Sequence, residues 1–456
     1  MLSKSYIKKN ITLAWPLALN GLLMQSMLMI DTLVVSPLGE LPLAALGIAA
    51  TIIASILGIQ MALANGTQLV LSRAVGSGNN ETLSKGFWAG LLINCAVGFI
   101  FWLILTLYSQ SLIQVLTDNT SLYEEIDDYL AIAKYVILFT ALTQVMIALF
   151  NGLGKTKVPF KGYLIELPVN AVLSYLLIHG YQMGSLEFSG MGVQGAALGS
   201  VIAIAVRLLY LGSYMHLSKE VNITLPKKGT PMLRNVKLHF IEIFPIAANV
   251  TILTIGIAVY QLLYSQLNIN DYVAITVVMP WLRAGMQFVA AWSHSSAITV
   301  SQAIGSRNMK GLDKDVDTSI DVAVIISILC SILFAIMSVF ISDIYPDLDE
   351  PTYQALNIIA PLYIFLGVVR GYNTVHGNVL RALGETTAVF KINFIGQWII
   401  SIPLCAVIIL AFDASIFWAF AIQPFEEVVK ALPFRQLARK SLKEFNQDKA
   451  EKLMYD

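Results

Sequence analysis

A single aspartate lies among apolar residues near the N-terminus. Asp31 is the only acid in the apolar stretch 11–35, and ionisable groups are costly in hydrocarbon, so those that occur there usually serve a function. At 1.5 Å per helical residue, it lies about 30 Å from the start of that stretch. Pro16 removes a backbone hydrogen bond from the same helix, so a bend is available there. We expect Asp31 to be a functional acid that faces a cavity; solvation near the headgroups is the alternative.

Three polar residues of a later apolar stretch share one helical face. Glu166, Asn170 and Ser174 are four residues apart, a spacing that stacks side chains along one stripe. Such a stripe must face protein or water, so it predicts either a lined cavity or hydrogen bonds between helices. Ser200, at the end of a run of small residues, is a candidate neighbour. These four residues complete the pocket that we predict around Asp31.

Enzyme, metal and nucleic-acid signatures are missing from the sequence. Gly154-Lys155-Thr156 resembles the end of a phosphate-binding loop, but Leu149 stands where that loop needs a glycine. There is no His-Glu-x-x-His motif and no Gly-x-Ser-x-Gly elbow. The three cysteines lie in apolar stretches and the histidines are scattered, so no metal site is expected. The basic residues lack interleaved aromatic residues. We therefore expect no enzyme activity, no cofactor and no nucleic-acid partner.

The sequence repeats itself at half its length. Residues 16–78 match residues 245–307 at a constant offset of 229 (245 − 16 = 229), and Asn151–Thr156 matches Arg381–Thr386. In membrane proteins, two like halves indicate a site held between them.

The second half differs from the first in its charges. Tyr260 occupies the position equivalent to Asp31 (31 + 229 = 260), while Arg283 and Arg370 lie near the middle of apolar stretches. We find no acid at matching depth in that half and predict a second cavity region formed by Tyr260, Arg283 and Arg370.

The elements that position these residues are transmembrane helices. The chain is 57% hydrophobic and 13% charged, with a mean hydropathy of +0.71, whereas a soluble domain carries about 25% charged residues. Stretches of about 20 apolar residues are long enough to cross a bilayer as helices. There are twelve, six per half: 11–35, 41–71, 87–110, 129–152, 158–180, 191–216, 239–267, 271–299, 321–342, 353–380, 388–411 and 414–432. The fold expected is an all-α integral membrane protein with two pseudo-symmetric six-helix lobes.

Alternating loop charges predict the topology. The segments 1–10, 73–85, 155–161, 219–237, 307–314, 381–391 and 433–443 contain Lys or Arg, whereas 36–41, 111–128, 181–190, 268–271, 343–352 and 412–413 contain neither. By the positive-inside rule, both termini are cytoplasmic. We predict an N-lobe at 1–217, a cytoplasmic linker at 218–238, a C-lobe at 239–432 and a cytoplasmic tail at 433–456.

These motifs together resemble those of the MATE (multidrug and toxic compound extrusion) transporters. The resemblance rests on Pro16 with Asp31, on Arg73-Ala-Val-Gly76-Ser-Gly78-Asn and on Leu153-Gly-Lys-Thr156. It implies a secondary antiporter in which Pro16 is the bending proline and Asp31 the coupling acid. Asn170 matches a hydrogen-bonding neighbour of that acid, and Ser200 matches a hydroxyl position.

Two departures from the family pattern concern the coupling ion. Ser174 stands where some members have aspartate and others asparagine, and Arg370 stands at a helix-ten position where some members carry an acid associated with sodium. Ser174 weakens the case for a two-acid proton site, and Arg370 disfavours sodium coupling through the second half, so the coupling ion expected is a proton used by Asp31.

The sequence thus predicts a monomeric, proton-coupled exporter of amphipathic, often cationic, organic compounds in the bacterial inner membrane. The coupling step would be protonation of Asp31 with bending at Pro16, while the two lobes rock to give alternating access. The alternative is a flippase for an anionic lipid-linked precursor, in which Arg283 and Arg370 would bind phosphate.

Overall fold

The computed structural model describes residues 3–116, 120–183, 186–218, 223–226, 231–307 and 310–453. Its long helices are α1 (Lys4–Val35), α2 (Glu40–Ser77), α3 (Asn80–Leu116), α4 (Tyr123–Gly152), α5 (Lys157–His179), α6 (Val193–Leu217), α7 (Met232–Tyr264), α8 (Ile269–Gly305), α9 (Leu312–Val339), α10 (Glu350–Ala382), α11 (Thr386–Ala411) and α12 (Ile416–Glu444). The twelve predicted spans each correspond to one of these helices, and the all-α membrane fold is confirmed.

Eleven helices of the described chain are long and apolar enough to cross a membrane. The twelfth, α12, is long enough, but Gln423, Glu426, Glu427 and Lys430 lower its hydropathy. Polar residues in a spanning helix persist when they have partners inside the protein. All four are buried, so α12 presents this polar stretch to other helices.

The structure differs from the prediction in the linker, in the tail and in one loop. Helix α7 begins at Met232, inside the predicted linker 218–238, of which residues 219–222 and 227–230 lie outside the described chain. Helix α12 continues to Glu444 and a short helix, α13 (Gln447–Lys452), follows, so much of the predicted tail is helical. Antiparallel strands β1 (Gly180–Met183) and β2 (Leu186–Ser189) were not predicted. The positive φ of Gly180 ends α5 and starts this hairpin.

One compact unit comprises Leu19–Phe244. Within it α2 packs on α3 and α4, and α6 packs on α4 and α5. Two apolar clusters form its core, one including Leu46, Ile126 and Ile137 and the other including Leu71, Phe87 and Phe150.

The other compact unit comprises Met1–Ala18 together with Pro245–Asp456. Helix α10 lies at its centre and packs on α8, α9 and α12. Its main apolar cluster includes Val278, Phe334, Tyr363 and Phe420.

In each repeat, the boundary between the two compact units falls within the first helix, close to a proline. The division falls after Ala18 in α1, close to Pro16, and before Pro245 in α7. These prolines are equivalent in the sequence repeat, and each removes one hydrogen bond from its helix. Bending at these points therefore costs less than elsewhere in either helix.

The helical segments before the two prolines are held by polar contacts. In α1, the Tyr6 hydroxyl lies 2.7 Å from the Ser319 Oγ, both within the unit that contains α8–α12. In α7, Glu242 accepts an ion-paired hydrogen bond from Arg73, and His239 lies 2.9 Å from the Thr67 Oγ1, all within Leu19–Phe244. Each segment is thereby fixed to its own unit.

Candidate functional site

The structure brings Asp31 together with three of its predicted partners. Ser174 donates to Asp31 Oδ1 over 3.5 Å and Ser200 donates to Asp31 Oδ2 over 3.4 Å. Asn170 donates its Nδ2 hydrogen to the Ser200 Oγ at 3.0 Å. Asp31 is 9% exposed, and Asn170 and Ser174 are fully buried. Both carboxylate oxygens therefore face hydroxyl groups across long hydrogen bonds.

Close packing of α5 on α6 creates this arrangement. A Cβ on Gly199 would lie 2.9 Å from the backbone nitrogen of Ser174, closer than side chains normally approach. Only glycine allows the two helices this close, and the next residue, Ser200, is thereby placed beside Asn170. Above the acid, a ring nitrogen of His179 lies 3.1 Å from the carbonyl oxygen of Val34 and links α5 to α1.

The described side chains around Asp31 supply no countercharge. Among the residues that the structure describes, no Lys, Arg or His lies at ion-pair distance from Asp31. A buried carboxylate needs either a positive partner or a proton, since removing an unpaired charge from water costs several kcal/mol. The arrangement can therefore take up a proton or a cation from outside the protein.

Glu166 has a different environment from the one predicted. Arg207 of α6 donates to Glu166 Oε2 at 2.5 Å and to the Thr143 Oγ1 at 3.3 Å, and it lies 4.3 Å from the ring centroid of Tyr163. The side chains of Glu166 and Arg207 are 3% and 5% exposed. Glu166 thus belongs to a buried ion pair, and the polar stripe on α5 divides into a charged pair below and the Asp31 cluster above.

The sequence already contained a signal that Arg207 pairs with Glu166. Arg207 lies in the predicted sixth span, seven residues after Ser200, and Glu166 lies eight residues before Ser174. Because consecutive spanning helices run in opposite directions, these two-turn spacings place the acid and the arginine at the same depth.

The second half contains acids beside its arginine, contrary to the prediction. Arg370 donates its Nε hydrogen to Glu427 Oε1 at 3.1 Å, and Tyr260 donates its hydroxyl hydrogen to Glu426 Oε2 at 2.5 Å. The prediction that this half carries arginines without an acid at their depth was therefore wrong. Arg283 is exposed and has no ion-pair partner among the described residues.

Glu426, Glu427 and Lys430 are the functional candidates that the sequence reasoning missed. They lie within the predicted span 414–432, where three ionisable residues in one apolar stretch are already a signal of function. No group of three or more His, Cys, Asp or Glu side chains suited to a metal ion occurs in the described part of the chain.

These features define a class: a multi-pass membrane protein built from two like halves, in which a buried carboxylate of the N-terminal half, Asp31, has no ion-pair partner among the described residues. The MatE family profile matches residues 16–176 and 245–407, and the chain belongs to this family. As a member of the family it is a transporter and not an enzyme.

Individual relatives agree with this assignment. The probable multidrug resistance protein NorM of Rhizobium meliloti (strain 1021) is 22% identical over 369 residues, covering 78% of this chain and 74% of that protein. The fold is similar to that of the Vibrio cholerae MATE transporter VcmN in the bent form, with 18% identity, a TM-score of 0.85 and coverage of 97% and 99% of the two chains. It is also similar to the eukaryotic MATE transporter AtDTX14, with 17% identity, a TM-score of 0.84 and coverage of 99% and 98%.

Proposed function

We propose that this chain is a proton-coupled antiporter that exports amphipathic, often cationic, organic compounds, with Asp31 as the coupling acid. The observation that carries the proposal is the environment of Asp31. It is buried, it is bonded only to neutral groups through its described side-chain contacts, and it lies in the unit Leu19–Phe244 without an ion-pair partner. The substrate class follows the names of the relatives, which include a multidrug resistance protein.

The chemistry requires one group that alternates between two charge states. When Asp31 is ionised, it attracts a cationic substrate; when it binds a proton, that attraction is lost and burial of the group becomes cheaper. Substrate release and proton uptake are then linked in one step. Exchange of one proton for one monovalent cation moves no net charge across the membrane, so the pH gradient drives it, and a difference of one pH unit supplies about 1.4 kcal/mol, equal to a tenfold concentration ratio. One proton per cycle is therefore enough to accumulate substrate outside.

Pro16 is the proposed hinge. It lies in α1 two residues before the division between the compact units and fifteen residues before Asp31 (31 − 16 = 15). The helix therefore contains both its weakest backbone position and its titrating group. Protonation of the acid changes what the upper part of α1 can bind, and bending at Pro16 lets that part move while Tyr6 keeps the lower part fixed. Rocking of the two repeats would then give alternating access.

The same proposal places the chain in the bacterial inner membrane with both termini in the cytoplasm, following the loop charges. We propose that it acts as a monomer, without cofactor or nucleic-acid partner, and uses protons rather than sodium ions. Supporting this choice, both oxygens of Asp31 accept hydrogen bonds from serine hydroxyls.

The flippase alternative needs unpaired arginines for a phosphate group. Arg370 is already occupied, since Glu427 and Gln423 accept its hydrogen bonds at 3.1 and 3.3 Å. Only Arg283 is left for an anionic headgroup, which makes export of cations the better supported function.

Transport by the Asp31→Asn variant in proteoliposomes tests the proposal. We expect an imposed pH gradient to drive movement of a lipophilic cation in the wild type, and a sodium gradient at equal pH to drive none. Asp31→Asn should lose at least about tenfold in exchange rate, which corresponds to about 1.4 kcal/mol, while its thermal unfolding is unchanged. Asp343→Asn, which alters an exposed acid, is the matched control. Exchange by Asp31→Asn at the wild-type rate would refute the assignment.

A further inference from the structure

The position equivalent to Asp31 in the second repeat is also linked to a carboxylate, but that carboxylate lies on another helix. Tyr260 of α7 is 4% exposed and donates to Glu426 Oε2 of α12 at 2.5 Å. Its neighbour Tyr264, one turn along, accepts a hydrogen bond from Gln423 Nε2 at 3.1 Å. The second half therefore also has a buried acid next to its first helix, but this acid belongs to α12 and not to the first helix itself.

Both acids on α12 are matched by positive charges from the protein itself. The Lys430 Nζ lies 2.8 Å from Glu426 Oε1 and 3.3 Å from Glu427 Oε1. Arg370 Nε lies 3.1 Å from Glu427 Oε1, and Asn373 donates its Nδ2 hydrogen to Glu427 Oε2 at 2.8 Å. Two carboxylates thus face two cations, and the cluster is neutral without any group from outside.

Lys430 has the central place in this balance. Its side chain is 5% exposed, and its Nζ is the only group in the described chain that bridges both acids. The methylene groups of the Lys430 side chain pack against Gly396 of α11, where an added Cβ would lie 2.6 Å from the Lys430 Cγ. Glycine at this position gives the lysine its path between α11 and α12, so the ammonium group is held at the two carboxylates.

The two halves therefore differ in how a buried carboxylate is neutralised. A buried carboxylate must be paired or neutralised, and the described surroundings of Asp31 supply neither a lysine nor an arginine. In the second half, the ammonium of Lys430 and the guanidinium of Arg370 meet this requirement permanently.

We propose that Lys430 is a tethered cation that takes the place of an exchangeable coupling ion in the second half. The inference rests on the proposed function, in which Asp31 exchanges a proton with solution. It assigns one ion-exchanging site to the protein and therefore one coupling cation per transport cycle. Removing the Lys430 charge should convert the α12 acids into a second site that takes up a proton or a sodium ion.

Other groups facing the cluster do not replace the lysine. Tyr260 and Tyr264 approach from α7, Cys405 lies near both tyrosines on α11, and Arg370 approaches from α10. With Lys430 removed, Arg370 remains the one positive group beside two carboxylates, within the residues that the structure describes. One negative charge is then left to be balanced.

Thermal unfolding of the purified protein tests this charge balance. We compare wild type with Lys430→Gln from about pH 8 to about pH 5, with sodium chloride or choline chloride at equal ionic strength. Relative to wild type, Lys430→Gln should gain about 3 °C or more on acidification or on sodium addition, because a bound cation stabilises the folded state. Lys440→Gln, which removes an exposed lysine of the same helix, is the matched control and should follow wild type.

Two further variants separate charge balance from simple loss of packing. Lys430→Arg retains the charge and should show no added response to pH or sodium. Glu426→Gln combined with Lys430→Gln removes one charge of each sign, and it should lose the response and recover stability. If Lys430→Gln alone does not fold, recovery of folding in the double variant supports the proposal. A Lys430→Gln protein with the wild-type response, or a double variant as impaired as the single one, overturns it.

Transport stoichiometry provides a second measurement. The measurement is the substrate gradient at which an imposed pH gradient drives no net transport, because this gradient gives the number of protons exchanged per substrate charge. That number should be one in wild type and two in a functional Lys430→Gln protein. The unfolding experiment does not depend on transport, so it still decides the role of Lys430 if Asp31 proves not to be the coupling acid. Two protons per cycle in wild type would contradict the tethered-cation proposal while leaving proton coupling intact.

Discussion

The buried ion pair between Glu166 and Arg207 allows a quantitative test of whether Glu166 is structural or part of the coupling site. Both side chains are at most 5% exposed, and their atoms approach to 2.5 Å. Arg207 also donates to Thr143 and lies over the ring of Tyr163. Removing one partner of a buried pair leaves an uncompensated charge, which costs about 3–5 kcal/mol.

Arg207→Met should therefore destabilise the protein by about 3–5 kcal/mol, because Glu166 would be left buried without its cation. Adding Glu166→Gln removes that penalty. The double variant should still lose the contact of Arg207 with Tyr163, about 0.5–2 kcal/mol, and the hydrogen bond to Thr143, about 1 kcal/mol. We expect it to recover about half of the stability that the single variant loses.

The assay is thermal unfolding in detergent combined with proton-driven exchange in proteoliposomes. For a unit of a few hundred residues, 1 kcal/mol shifts the midpoint by about 2–4 °C, so Arg207→Met should unfold about 10 °C below wild type. The double variant should regain several degrees and keep its coupled exchange. An Arg207→Met protein as stable as wild type would refute the ion-pair reasoning. A stable double variant without exchange would instead make Glu166 a coupling residue.

Three other predictions concern the site and its surroundings. Gly199→Ala should push Ser174 away from Asp31 and lower exchange at least about tenfold, whereas Gly212→Ala on the same helix, where an added Cβ meets only a methionine methyl at 3.9 Å, should be tolerated. Arg370→Ala removes one of the two cations that balance Glu426 and Glu427, so it should lower the unfolding temperature and add a response to pH or sodium like that of Lys430→Gln. The folded variant should still export the cation, because the function proposed does not use this arginine to hold substrate; loss of export with gain of lipid transfer would favour the flippase. Pro16→Ala restores a helical hydrogen bond and should slow exchange more than substrate binding, as measured by comparing rates with equilibrium ligand binding.

Much of the fold follows from the sequence because membrane insertion imposes simple rules. Helices that cross a bilayer need about 20 apolar residues and leave no backbone group unpaired, so each span could be located. Their ends could not, since α9 begins at Leu312 instead of 321 and α12 ends at Glu444 instead of 432. The hairpin of β1 and β2 could not, because short polar loops outside the membrane obey no comparable length rule. The division of α1 and α7 between compact units also depends on tertiary contacts, such as Tyr6 with Ser319, between residues more than 300 positions apart.

The cluster around Asp31 could be predicted because helical spacing fixes depth and face. Asn170 and Ser174 lie on one stripe, and the small residues before Ser200 allow close approach, so the two helices could be expected to meet the acid. The geometry adds that Asn170 donates its Nδ2 hydrogen to Ser200, whose hydroxyl group in turn donates to the carboxylate. Side-chain order within a cluster depends on distances that spacing alone does not determine.

The lone acid of the first half, Asp31, was easier to interpret from the sequence than the group of charged residues in the second half. Arg370 seemed isolated because the acid that pairs with it, Glu427, lies on another helix, α12. A duplicated scaffold preserves the places where helices meet, but the charges at those places are free to move between helices as long as they balance. To find the partner of a buried charge, it is therefore better to ask which residues make the cluster neutral than which residue occupies the equivalent position in the other repeat. By that measure, Lys430 and Arg370 keep the acids of the second half paired, and the proposed function then needs only Asp31 to bind an ion from solution.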